Sequence, residues 1–329
     1  MSSHSCLDLP FDQYQRYGAV REIIGALRAT DGPILDVGGY SRLVSGEDFL
    51  LLQRFLPNTD VVVLDPCTCR QSGYLQGDGL ALPFADASFP VVVSVDALEH
   101  IPPRNRACFW NELLRVTQDY LILAAPFDDD QITLAERLVY EFTKLVRGAG
   151  HPQIGEHLAN GLPSLSKSYA ILMDAGWQSV EIPNGYIYNW LLMMALYNYL
   201  LSIPGAASLI RMMNHFYNSS FFECDHRLPS YRRILVAARR REGQAALERV
   251  RDRFANATTG DQGDTLIRLA LFQLLIKVIE LKLQNQILQE KERENAALRE
   301  LVRRYEQGRF IRVMAWFDRV KRRLLNSGG

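Results

Sequence analysis

From residue 33 onward, short apolar runs punctuate the chain at residues 34–37 (ILDV), 60–65 (DVVVLD), 90–96 (PVVVSVD) and 120–126 (YLILAAP). Each run is continuously apolar rather than alternating, the pattern of strands buried on both faces of a sheet. Amphipathic stretches such as 109–116 (FWNELLRV) lie between them. Strand and helix in alternation predict an α/β fold, a Rossmann-like, doubly wound, mostly parallel sheet with ligands past the C-terminal strand ends.

After Pro126 the pattern turns helical. The Thr133 to Glu136 spacing is that of a capping box and predicts a helix from 133, and a second helix from 166 stops at Gly176. A strand at 178–182 precedes a helical insertion of two helices over 186–217, and the run 231–240 alternates as a terminal edge strand would. These features predict one domain over 1–241, with its strand repeat in 33–127 and additional elements in 128–230. A linker over 242–263 follows, rich in Gly, Asp and Thr around 256–264.

Residues 264–329 read as a C-terminal coiled-coil helix with a basic end. Ile267, Leu271, Leu274, Val278, Leu281, Asn285 and Leu288 step by four and three; the seam weakens at Glu292 and Asn295, then resumes at Leu298, Val302 and Tyr305. A polar Asn at a seam position fixes register and favours a homodimer, the alternative being a helix packed back on the body.

Residues 182–210 contain no charged residue, but Asn184, Asn189 and Asn198 interrupt them and Pro204-Gly205 ends the run. A membrane span needs about 20 continuous apolar residues, so a buried or lid-like helix pair is expected. The N-terminus lacks the basic-then-apolar pattern of a secretory signal, and the five cysteines show no zinc-site spacing. Both features predict a cytoplasmic protein with reduced thiols.

The net charge of zero hides an asymmetry of −10 over residues 1–230 and +10 over 231–329. Eight basic residues fall within 303–323, and Phe310, Val313, Met314, Phe317, Val320 and Leu324 share one helical face, with Trp316 beside it. A basic helix with an aromatic stripe suits peripheral contact with an anionic membrane, here the inner face, whereas the bland reading is a solvated helix supporting a dimer. The acidic body disfavours a nucleic-acid partner.

Candidate chemistry concentrates in 33–101. The first strand runs through Asp36 into Gly38 and Gly39, a pair that permits a tight turn and close backbone approach to a ligand. Asp65 ends the next strand 29 residues after Asp36, where a carboxylate can accept ribose hydroxyls. Then come 77–89 (GDGLALPFADASF) and 91–101 (VVVSVDALEHI). Neither a GxxxxGK[ST] loop nor a GxGxxG turn follows the first strand, so kinase-like and nicotinamide readings lack their anchor.

In this order and spacing the four segments resemble the class I S-adenosylmethionine-dependent methyltransferases, in particular the type 11 methyltransferase domain. The resemblance implies S-adenosylmethionine as cofactor. It implies a loop under the methionine moiety at Gly38 and Gly39 preceded by Asp36, ribose binding by Asp65, an adenine frame of Asp78, Gly79 and Leu80, and Ser94 to Asp96 near the sulfonium. The chain departs from the family pattern at Tyr40, which stands where a second loop glycine belongs, and at Pro90, which replaces an Asp. No Asn/Asp-Pro-Pro-Tyr of base-modifying enzymes follows the fourth strand.

For the acceptor side, His100, His151 and His157 are the candidate catalytic residues, the last two in a polar Gly/Pro-containing segment with Glu156. Their spacing is not His-Glu-x-x-His, and Asp128, Asp129 and Asp130 are read as helix capping, so no metal is expected. The aromatic-rich segment 184–222, with Tyr186, Tyr188, Trp190, Tyr197, Tyr199, His215 and Tyr217, reads either as a lid for an amphipathic or saccharide ligand or as core. The cofactor domain, the 156–163 segment (EHLANGLP), the coiled coil and the basic tail together resemble bacterial methyltransferases of glycans or lipid-linked sugars. O-methylation of such an acceptor is expected. The alternatives are a small-metabolite methyltransferase and a non-catalytic dimeric scaffold whose cofactor site is degenerate at Tyr40.

Overall fold

The computed structural model describes residues 5–28, 32–42, 46–255, 284–305 and 308–325. The chain forms two compact units, Met1–Gln262 and Gly263–Gly329.

The first unit opens with α1 (Phe11–Leu27), followed by β1 (Ile34–Val37), the short β2 (Tyr40–Arg42) and β3 (Asp48–Leu50), α2 (Leu51–Phe55), β4 (Val61–Asp65), β5 (Tyr74–Gln76) and β6 (Phe89–Val95). Next come α3 (Arg106–Val116), β7 (Thr117–Ala125), α4 (Asp130–Arg147), α5 (Pro152–Asn160), α6 (Leu165–Asp174), β8 (Gln178–Tyr186), α7 (Ile187–Leu201), α8 (Ala207–Phe221), β9 (Ser230–Ala238) and α9 (Gln244–Ala255). The main sheet has the order β5-β4-β1-β6-β7-β9-β8. Strands β5, β4, β1, β6 and β7 pair in parallel, and β9 is antiparallel to both of its neighbours. The order turns outward from β1, placing the ends of β1, β4 and β6 at the topological switch point where such folds bind ligands.

Alternate residues of each strand feed opposite cores. Ile34, Val61, Val91 and Ile122 join the core under α1, α2 and α9, while Leu35, Leu64, Val92 and Leu121 join the one under α3 and α6. Burial on both sides explains why the strands read as unbroken apolar runs.

Several expectations change. Strand β9 is interior: Ala238 pairs with Tyr120 on one side and Gln178 on the other, and β8 is the edge. The helix expected from Thr133 begins at Asp130, capped by Asp129 accepting the Gln131 N–H at 2.8 Å, which leaves Glu136 as a buried interior residue. Helix α1 has no counterpart in the sequence reading. Helix α9 occupies part of the expected 242–263 linker and buries Ala246, Leu247, Val250 and Phe254 against the body. The stretch around 256–264 lies outside the described residues.

The uncharged stretch enters the body. Trp190 and Tyr217 are buried, and Asn189 donates to Asp225 at 3.0 Å, whereas Tyr188 is exposed. Among the described residues no helix is long and apolar enough to cross a membrane.

In the second unit, α10 spans residues 284–305 and α11 spans Arg309–Leu325. Seam positions 267–281 lie outside the described residues, as do the side chains of Phe310 and Leu324. Leu288, Leu298, Val302 and Tyr305 on α10 and Val313, Met314, Trp316 and Phe317 on α11 are exposed.

Candidate functional site

The loop after β1 is built around Asp36. Gly38 has φ +86°, and a Cβ there would lie 2.8 Å from that of Ala97, while a Cβ on Gly39 would lie 2.0 Å from Asp36 Oδ2. The carboxyl therefore fills the space that a side chain at 39 would need, and the backbone stays bare. Asp36 is wholly buried with no well-formed hydrogen bond to either oxygen. Desolvation pushes it up to about 7, opposed by the adjacent Tyr17 hydroxyl and the Arg16 guanidinium.

Backbone bonds join this loop to the other predicted positions. The Gly38 N–H donates to Leu64 O at 2.8 Å, and the Gly77 N–H donates to Asp65 O at 3.1 Å. Asp65, at the end of β4, has one carboxylate oxygen oriented by the Cys67 N–H at 3.0 Å. Asp78 accepts the Leu80 N–H at 2.9 Å, closing a turn in which a Cβ on Gly79 would lie 2.7 Å from the Phe109 ring. Asp36, Gly38, Gly39, Asp65, Asp78, Gly79 and Leu80 thus form one contiguous edge.

Tyr40 opens the β2–β3 hairpin. Its hydroxyl donates to Asp48 Oδ1 at 2.7 Å, and its ring meets that of Tyr74 edge-on at 6.0 Å between centroids. The Tyr74 hydroxyl in turn donates to Asp65 O at 3.0 Å. The residue in place of a loop glycine is therefore tied to the hairpin and to the aromatic neighbour of Asp65.

Ser94 and Asp96 are engaged by the protein itself. The buried Ser94 hydroxyl donates to Val37 O at 3.0 Å. Asp96, at φ +50°, is bound by Arg232 Nε at 2.6 and 2.8 Å and also by Arg16. Burial alone would raise its pKa, but Arg232 and Arg16 hold it well below the usual carboxylate range. Arg232 also reaches Asp12 at 2.6 Å, and the Trp190 indole donates to the same oxygen at 3.2 Å. Sequence reasoning did not link these partners, since α1, α7 and β9 supply them from segments far apart in the chain.

Beyond Asp96, a 3-10 turn at Leu98–His100 places Glu99 and His100 beside His157 in the last turn of α5. His157 Nδ1 donates to Glu136 Oε1 at 2.7 Å, and the Tyr231 hydroxyl donates to the same oxygen at 2.7 Å. His100 Nδ1 donates to Glu156 Oε2 at 2.7 Å. The two Nε2 atoms face each other at 3.4 Å. Burial and then the neighbouring His157 push His100 down, against Glu156. Glu99 is wholly buried with neither oxygen hydrogen-bonded, and burial followed by Asp96 pushes it above the usual carboxylate range. His151 stands at the start of α5, its Nδ1 buried without a partner, and burial pushes it down. The structure brings His100 and His157 together, joined by Glu99, Glu136 and Tyr231. The one sequence signal for Glu136 was its helical position, which read as a capping box.

Residues 59–122 match the methyltransferase domain family. That segment contains Asp65, Asp78, Gly79, Leu80, Ser94, Asp96 and His100. No curated protein matches the chain. Among solved structures, the chain is similar to magnesium protoporphyrin IX methyltransferase from Synechocystis PCC 6803 with bound SAH, at 14% identity and TM-score 0.41, over 71% of this chain and 86% of that one. It is also similar to a SAM-dependent methyltransferase from Archaeoglobus fulgidus, at 12% identity and TM-score 0.41, over 69% and 94% of the two chains. The YcgJ protein of Bacillus subtilis is similar at 15% identity and TM-score 0.38, over 67% and 97%.

Proposed function

We propose that this class I S-adenosylmethionine-dependent methyltransferase methylates a hydroxyl oxygen of a glycan or lipid-linked sugar. The residues at the β1–β4 edge fit the cofactor: a glycine pair without room for a Cβ, a buried carboxyl lacking a hydrogen-bond partner at Asp36, and an oriented carboxylate at Asp65. When bound, S-adenosylmethionine supplies an electrophilic methyl group on a sulfonium. Asp65 would hold the ribose hydroxyls, and the 77–80 turn would border the adenine.

The observation that carries the reading is the histidine pair with a glutamate behind each ring. An alcohol is a poor nucleophile near neutral pH until its proton is withdrawn. The His100–His157 pair, on elements that follow β6 and α4, is the group placed to withdraw it. With that proton withdrawn, the acceptor oxygen would be the nucleophile toward the methyl group that bound S-adenosylmethionine would supply. A sugar is favoured by Tyr186 and Tyr188, whose rings meet edge-on at 5.4 Å at the C-terminal end of β8, with Tyr188 exposed. Exposed aromatic faces stack on the apolar side of a sugar ring.

The test is transfer of labelled methyl from S-adenosylmethionine to a panel of glycans and lipid-linked sugars, with small hydroxylated metabolites in parallel. Product confined to the saccharides supports the reading; turnover of metabolites alone overturns it. In the same proposal the tail joins two copies through residues 264–305 and rests α11 on the anionic inner face of the cytoplasmic membrane. The support is an exposed apolar stripe of Val313, Met314 and Phe317 alongside Arg312, Arg319 and Arg323.

A further inference from the structure

We infer that Glu99, His100 and His157 form a binding site for one divalent transition-metal ion, zinc by donor type, on the acceptor side of the cofactor edge. The inference rests on the methyl-transfer reading only for the ion's use, not for its binding.

The argument starts from tautomers. A carboxylate only accepts hydrogen bonds, so the Glu136 and Glu156 contacts require a proton on Nδ1 of His157 and of His100. A neutral ring protonated at Nδ1 has a bare lone pair at Nε2. Two such lone pairs face each other at 3.4 Å, which is unfavourable unless something positive lies between them. Nitrogens bound to a tetrahedral zinc at about 2.0–2.1 Å stand about 3.3–3.4 Å apart, the spacing found here.

A third donor distinguishes a metal ion from a shared proton. Glu99 is wholly buried, and both of its oxygens lack a hydrogen-bond partner. One of its carboxylate oxygens and one ring nitrogen from each histidine all lie within 4.8 Å of one another. An uncompensated buried carboxylate is costly, and a coordinated cation relieves that cost. The glutamate behind each imidazole is the usual means of fixing the tautomer and orientation of a metal-bound histidine.

Two histidines and one glutamate leave the fourth position of a tetrahedral ion open, as in catalytic rather than structural zinc sites. With the ion bound, the two Nε2 lone pairs are ligands and no longer the base, and the ion would take over that role: an acceptor hydroxyl in the open position would lose its proton to solvent near neutral pH, because the cation stabilises the alkoxide. The expectation of no metal followed from the absence of His-Glu-x-x-His. Here the donors are two adjacent residues on a 3-10 turn and a histidine 57 positions further on.

The full-length protein, stripped with a chelator, is titrated with Zn²⁺ against a chromophoric competitor, and with Co²⁺ followed by its visible spectrum. We expect one equivalent of zinc and the absorption bands of four-coordinate cobalt. His100→Ala and Glu99→Gln should lose tight binding. Glu156→Gln, at an exposed position that leaves the core intact, should weaken it about tenfold or more. Folded wild-type protein that takes up no stoichiometric zinc overturns the inference, as do His100→Ala and Glu99→Gln variants that bind as tightly as wild type. Calorimetric affinity for S-adenosylmethionine on the same samples tests the methyltransferase reading separately, and neither outcome of the zinc titration depends on it.

Discussion

Arg232 grips both carboxylate oxygens of Asp96 with one nitrogen, at 2.6 and 2.8 Å, and extends another to Asp12 at 2.6 Å. With Arg16 on the other side of Asp96, the cluster fastens β9, the loop after β6 and α1 together. Arg232 is 2% exposed, so removing it strands two carboxylates with one cation. Arg232→Met should lower unfolding free energy by about 3–5 kcal/mol, measured by urea denaturation. Lysine should rescue little, because it lacks the planar fork. A loss within experimental error would mean that the cluster does not hold these elements.

Asp36 makes stability depend on pH. Raised from 3.8 to about 7 in the fold, it binds its proton more tightly folded than unfolded. Its contribution is therefore full below about pH 4, declines toward pH 7 and is level above. Converted at 1.36 kcal/mol per pH unit, the change is about 4 kcal/mol. His226, pushed down to about 4 by burial, acts in the opposite sense, losing stability as pH falls below its ordinary 6.5. The wild-type profile alone would blend the two. The difference between wild type and Asp36→Asn, followed by urea unfolding from pH 4.5 to 8 without cofactor, should isolate the aspartate. A difference independent of pH would contradict the raised pKa.

Asp65 and Tyr40 should differ in their effect on the cofactor. Asp65→Ala removes a charged acceptor and should weaken S-adenosylmethionine binding by about 10- to 100-fold. Tyr40→Phe removes a hydroxyl already held by Asp48, so binding should stay within about threefold. Calorimetry on the two variants decides whether Tyr40 is part of the pocket or of the hairpin.

Phe254 tests where the body ends. It packs in the core and meets His226 edge-on at 4.6 Å. Phe254→Ala should cost about 3–5 kcal/mol. A chain ending at 262 should retain S-adenosylmethionine binding, whereas one ending at 241 should lose it along with cooperative unfolding.

The tail prediction is read by vesicle flotation. Full-length protein should float with anionic vesicles and less so at high salt, while a chain ending at 302 should stay behind. Equal behaviour of the two would remove the membrane role.

The parallel strands were legible because burial on both faces requires unbroken apolar runs, and each run needed only its own residues to be recognised. The placement of Asp36, Gly38, Asp65 and Asp78 along one edge of the sheet was legible for a related reason: each sits at or just beyond a strand end, where position along the chain reports position in space. Helix α1 was not legible, since it buries residues as unlike as Phe11, Gln15, Gly18 and Ile23 around much of its circumference, leaving no single stripe. Strand β9 read as an edge because its run alternates, with Arg232 and Arg233 among the polar positions. Their partners, Asp96 with Asp12 and Glu181, come from distant segments. Glu136 was misread for the same reason, its role being set by His157 and Tyr231 rather than by its own helix.

The interior place of β9 has a consequence for synthesis. Among the described residues, strand β8 pairs only with β9, and β9 is the last strand in chain order. A nascent chain that has delivered β8 and the uncharged α7 therefore has the five parallel strands but still lacks the strand that pairs with both β7 and β8. Long-range pairing of this kind is slow and leaves apolar surface uncovered meanwhile. On the ribosome, the sheet closes only after residue 238 has emerged. Residues 187–238 are thus the stretch of synthesis during which the β7 edge and β8 both stand without the partner they share.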